Sequence, residues 1–133
     1  MIDISNQIFT IMAKRFDADF PGGSRSSEPV ESPAVFPYLT VVEADNQTYE
    51  KSLDDALCEH HAVVMYQVDA YSNKTDGGKA ECRAILRAID DEFLKLNFKR
   101  LSFAFTKNAD TKIYRMTARY RAVVGEDHRI YRR

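Results

Sequence analysis

The sequence predicts an α+β fold: one mostly antiparallel sheet of about four strands, with helices packed on one face. Three observations carry this. Apolar residues recur at helical spacing over residues 3–17 and again over 79–96. A period of two, with one apolar and one mixed or polar face, marks strands at 62–71 and 112–123. The last two strands, 99–106 and 112–123, are joined by the short, turn-rich stretch 107–111, which reads as a hairpin. At 133 residues the chain fits one domain, 1–133, with little room for a second.

Each element has its own local reason. In the first helix Ile4, Ile8, Ile11 and Met12 form a single stripe, and Asp3 or Ser5 is placed to cap its start. Residues 17–37 differ in kind. All four prolines (Pro21, Pro29, Pro33, Pro37) fall here, with Gly22, Gly23 and a Ser-Arg-Ser-Ser run. Proline removes a backbone donor and fixes φ, so neither helix nor central strand continues through it. The stretch reads equally as a surface loop or as an arm that orders against a neighbouring subunit, mobile in the free chain. Phe20, Pro21, Arg25, Pro29, Val30 and Pro33 are its candidate contact residues. A strand over 38–44 ends at the turn-prone Ala-Asp-Asn of 44–46, and 49–57 carries only a weak signal.

The clearest strand follows, with Val64, Tyr66, Val68 and Ala70 alternating with Met65, Gln67 and Asp69. "SNKTDGG" breaks it and offers Asn73, Thr75 and Asp76 as caps for the second helix. There Cys82, Ile85, Ile89, Phe93 and Leu96 line one side, with Arg83, Arg87, Asp91 and Lys95 on the other. Burying its four large apolar side chains contributes roughly 1.5–3 kcal/mol each. Asn97 fits a left-handed cap at the helix end.

Composition narrows function before any motif does. Nineteen basic against 20 acidic residues leave a net charge of −1, so no long-range field draws the chain to DNA or to an anionic membrane. The amphipathic start is too short and polar to span a bilayer. Cys58 and Cys82 match no metal or redox spacing and read as free thiols in a reducing compartment.

The sequence carries none of the usual catalytic patterns. "GGSRSS" lies in the proline-rich stretch instead of at a strand-to-helix elbow, and "DGGK" lacks the spacing and the Ser or Thr of a phosphate loop. His60 and His61 are adjacent and point to opposite sides of a strand, while Cys58 with His60 supplies two ligands where zinc needs more. Asp54-Asp55 and Asp90-Asp91-Glu92 read as solvated acids. No catalytic, cofactor or metal residue is assigned, and no small-molecule substrate is expected.

One constellation stands out. Arg115, Arg119 and Arg121 alternate along the last strand, away from Tyr114, Met116, Ala118, Tyr120 and Ala122. Arg100 is expected beside them on the hairpin partner, with Asp69 and Gln67 also on a non-apolar face. Such a face is a solvated sheet surface, a contact for an acidic protein patch, or a lining for passing DNA. The tyrosines lie opposite the arginines, which argues against base stacking.

In order, "VFPYLTVVEADN", "EHHAVVMYQVDAYSNK", a helix, "FKRLSF" and "TKIYRMTARYRAVV" resemble the small tail-completion and minor capsid proteins of long-tailed bacteriophages. The resemblance spans roughly residues 14–124. It rests on Phe36-Pro37 opening a strand, Glu43, Tyr71-Ser72-Asn73, Tyr114-Arg115 and Tyr120, none of them catalytic. It implies a hexameric ring of α+β subunits at the head-proximal end of the tail tube, touching the tube protein and the head-completion protein. The setting would be the virion, and the host cytoplasm during assembly. Two alternatives stand beside the terminator: a head-completion connector protein, and a small nucleic-acid-binding module using the basic face.

Overall fold

The computed structural model describes residues 1–29, 33, 35–48, 61–107 and 112–131. Within them the chain runs α1 (Ser5–Asp19), β1 (Ser24–Ser26), β2 (Tyr38–Thr48), β3 (His61–Ser72), α2 (Gly78–Lys95), β4 (Lys99–Thr106), β5 (Tyr114–Gly125) and β6 (Ile130–Tyr131). The strands form one sheet in the order β1-β2-β3-β5-β4, with β6 beside β5 where β4 has ended. Every pairing is antiparallel except β1 with β2. The sheet therefore has six strands and is mixed, not four; β1 and β6 are three and two residues long, too short to show a period.

Alternation along the long strands builds the core. Ala62, Val64, Tyr66, Val68 and Ala70 of β3 pack with Met116, Ala118, Tyr120, Ala122 and Val124 of β5 into one cluster. Ile8, Met12 and Phe16 of α1 and Cys82, Ile85, Leu86, Ile89 and Phe93 of α2 join the same cluster, so both helices cover the same face. Its centre is aromatic: Phe93 stacks on Tyr120 at 4.3 Å, and Phe98 meets Phe93 edge-on at 5.0 Å. Cys82 is a free thiol whose Sγ lies 3.4 Å from the Ala70 carbonyl oxygen, and burial pushes its pKa up to about 12. Cys58 and His60 lie outside the described residues.

Several local expectations shift. Neither Asp3 nor Ser5 is the N-cap of α1: that position is Ile4, with no side-chain cap bond, and the helix starts two residues later than expected, although Asp3 accepts from the Ser5 hydroxyl (2.6 Å) and amide (2.9 Å), which holds its carboxyl below the usual range. No turn forms at 44–46; β2 runs through as strand, with a register shift between Glu43 and Asp45 that leaves Ala44 bulged. None of Asn73, Thr75 or Asp76 caps α2. Gly77 does so with φ 86° and no side-chain bond, and the buried Ser72 hydroxyl instead donates to Glu81 (2.7 Å). Asn97 adopts the expected left-handed conformation, φ 69°. The stretch expected to lack regular structure opens with the last turn of α1 and contains β1, and the Phe36–Pro37 peptide leading into β2 is cis.

Candidate functional site

The helices pack on one sheet face, and on the opposite, open face, which no described helix covers, the register places the side chains in rows. Val42, Thr40 and Tyr38 of β2 stand beside Gln67, Asp69 and Tyr71 of β3. These in turn stand beside Arg119, Thr117 and Arg115 of β5, with Met65 opposite Arg121. The expectation that Arg115, Arg119 and Arg121 share a non-apolar face with Asp69 and Gln67 agrees with this arrangement.

Arg100 does not join them. It pairs with Tyr120, on the helix side of the sheet, and its guanidinium meets Asp90 of α2 at 3.0 Å. The cause is a register shift between Arg100 and Ser102: one extra residue, Leu101, reverses which side chains face which way. Asp90 also accepts a 2.7 Å hydrogen bond from the Tyr120 hydroxyl, and burial pushes that phenol far above its ordinary range. Glu92 accepts from Arg15 of α1 at 2.8 Å. Two of the acids expected to be plain solvated surface thus tie α2 to β5 and to α1. The local pattern gave no sign of this, since both partners are distant in sequence.

On the open face the network is equally specific. Asp69 is only 3% exposed. Its Oδ1 accepts from Arg115 Nε at 3.0 Å and from the Thr117 hydroxyl; its Oδ2 accepts from Gln67 Nε2 at 3.1 Å and, at 3.5 Å, from the Thr40 hydroxyl. Burial alone would lower the Arg115 pKa, but the Asp69 hydrogen bond and charge outweigh it and the net shift is upward. Arg115 also lies over the Tyr71 ring at 5.3 Å, and Tyr38 meets Tyr71 edge-on. Arg115 is therefore engaged inside its own subunit. Arg119 is exposed and makes no ion pair among the described residues, while Arg121 is half-buried.

The residues of the proline-rich stretch divide in the same way. Phe20 stacks on Phe16, and Arg25 meets Asp17 at 3.2 Å. The Ser24 amide donates to the Pro37 carbonyl. Gly23 sits where a Cβ would lie 2.6 Å from that carbonyl oxygen and 2.7 Å from the Phe16 ring, so only glycine fits. The root of the stretch is thus docked on its own subunit. Pro21 is exposed and Pro33 buried. Pro29 lines a shallow concavity of about 320 Å³ with Val42, Ala44, Gln67, Asp69, Tyr71 and Arg115, touching the open face. Val30 lies outside the described residues.

Among the described residues no three His, Cys, Asp or Glu side chains lie close enough to hold a metal ion. Among them, too, no helix is long and apolar enough to cross a membrane. Compared with known families, residues 18–125 match the model described as tail completion protein gp17. No curated protein matches the chain.

Proposed function

From the premise that this chain belongs to the tail-completion family of phage proteins, and so has a structural role in building the virion tail, we propose that it is the ring-forming subunit that terminates the tail tube and joins it to the head. The match across residues 18–125 supports the reading, because it spans five of the six described strands, from β1 to the end of β5, together with α2.

In this reading about six copies close into a ring that caps the growing tube and then receives the filled head. The tube protein and the head-completion protein are its partners, and the ring assembles in the host cytoplasm. Arg119 and Arg121 contact an adjoining ring or the passing genome, while Arg115, with Asp69, keeps the open face rigid. Exposed Pro29 is offered to a neighbour from a root fixed by Phe20, Gly23 and Arg25, whereas Pro33 is buried within its own subunit. A near-neutral net charge leaves copies with little mutual repulsion.

Electron microscopy of particles made without this reading frame tests the proposal. The expected result is full heads beside separate tails of irregular length. Tails of normal length beside leaking heads would move the chain to head completion. Normal joined virions would remove it from assembly altogether.

A further inference from the structure

The sheet has two free edges, and they are unlike. At one side β4 lies outermost, and no described residue pairs with its outer edge. At the other side β1 covers only Tyr38–Thr40 of β2, leaving residues 41–48 without a strand partner among the described residues. The two open stretches are the same length, eight residues each.

Strands left uncovered in monomers are usually short, or carry charges and prolines that discourage pairing. β4 has no proline, and it displays Leu101 at 43% and Phe105 at 57% exposure. Its charged residues, Lys99 and Arg100, are both basic, Arg100 being already paired with Asp90, and Lys107 follows. β2 offers the complement: Glu43 and Asp45, and no basic residue. An edge of this kind meets its own copy poorly and the opposite edge well.

We propose that the β4 edge of one subunit pairs with residues 41–48 of β2 in the next, continuing the sheet from copy to copy. The inference rests on the ring-forming reading above and says how the ring is closed. A contact between two different patches of the same chain is heterologous, the type that closes into a cycle when the rotation permits. The strand order also fits. β2, β3, β5 and β4 alternate in direction, so a neighbour related by rotation about an axis along the strands presents its β2 antiparallel to β4. Main-chain hydrogen bonds then supply affinity, and Leu101 and Phe105 lose their exposure.

The test uses virions carrying the full-length chain with Ala104→Cys on β4 and Ala44→Cys on β2, both exposed positions. Cys58 is replaced by Ser; Cys82 is buried and its raised pKa keeps it unreactive. A short bis-maleimide is then added. The expected product is a ladder of covalent oligomers of this chain extending beyond the dimer, with no oligomer from either single variant. Dimers from Ala104→Cys alone would mean β4 meets β4 and would overturn the proposal. Joined virions that give no ladder would also overturn it, while leaving the ring reading, judged by the deletion micrographs, intact. Should the alanine pair block assembly, Ser102→Cys with Gln47→Cys repeats the measurement at neighbouring exposed positions.

Discussion

Asp69 is the residue on which the open face turns. It is buried on the side of the sheet that faces away from the helices, and it accepts hydrogen bonds from Arg115, Thr117, Gln67 and, more weakly, Thr40. Removing one partner of a buried pair leaves the other charge uncompensated. Asp69→Ala should therefore lower stability by about 3 kcal/mol, and Asp69→Ala with Arg115→Ala by clearly less than the sum of the singles. Urea unfolding of the double-mutant cycle reads this directly. Additive losses would mean the two groups act separately. Glu43 works in the opposite sense. Burial, with the charges of Asp3 and Asp45, raises its pKa in the fold, against a 3.1 Å hydrogen bond from Asn46. A carboxyl whose folded pKa is raised opposes folding when ionised, and that penalty fades as pH falls through the folded value. Glu43→Gln should thus raise the melting temperature slightly near pH 7 and lose the gain in acid, below the unfolded carboxyl range. A gain that persists in acid would point to a cause other than charge. Alternation was enough to place Arg115, Arg119, Arg121, Asp69 and Gln67 on one face. It misplaced Arg100 because the single extra residue at Leu101 reverses the parity of the strand, and no composition signal marks such a bulge.

At the scale of elements, periodicity recovers what is long and misses what is short. α2, β3, β4 and β5 fall within a residue or two of their expected bounds because each repeats its pattern over eight residues or more. β1 and β6 exist through their partners: β1 is held by the Ser24–Pro37 bond and by the close seat of Gly23 against Phe16, and β6 by a turn at Gly125 and His128. Gly23 gives the sharpest element-level test. Its added Cβ would strike a backbone oxygen and a fully buried ring, neither of which yields easily. Gly23→Ala should cost about 1–3 kcal/mol, the usual range for overpacking, and should speed proteolysis within residues 20–37. An unchanged digestion pattern would show that the stretch is not anchored there. The start of α2 is likewise set by partners outside the local capping pattern. Ser72, the last residue of β3, donates to Glu81 of the first turn and Lys74 of the loop pairs with it, so these bonds, and not a capping side chain at Asn73, Thr75 or Asp76, tie down the helix start.

For the whole molecule, charge is the property that separates an assembly subunit from a nucleic-acid module. Net charge is −1, and the arginines expected on one basic face divide: Arg100 lies behind the sheet with Asp90, Arg115 is held by Asp69, and Arg119 and Arg121 stand on the open side, with Lys99 opposite Arg121. Each phosphate neutralised on duplex DNA contributes about −0.9 to the slope of log affinity against log salt. Three basic residues per subunit therefore predict a slope no steeper than about −3, and affinity for the free chain weaker than the roughly 10⁻⁴–10⁻⁶ M of dedicated non-specific binders. Fluorescence anisotropy with a labelled duplex, titrated between low and physiological salt, measures both. The proposed ring would change the arithmetic without changing the surface, since every copy would repeat the same three cations around one passage. The assembled form should thus show a slope steeper in proportion to the copies that touch the duplex at once. Micromolar binding by the free chain with a slope near −6 would instead mean that six or more cations meet DNA in one subunit, more than this open face carries, and the nucleic-acid reading would take precedence over the terminator.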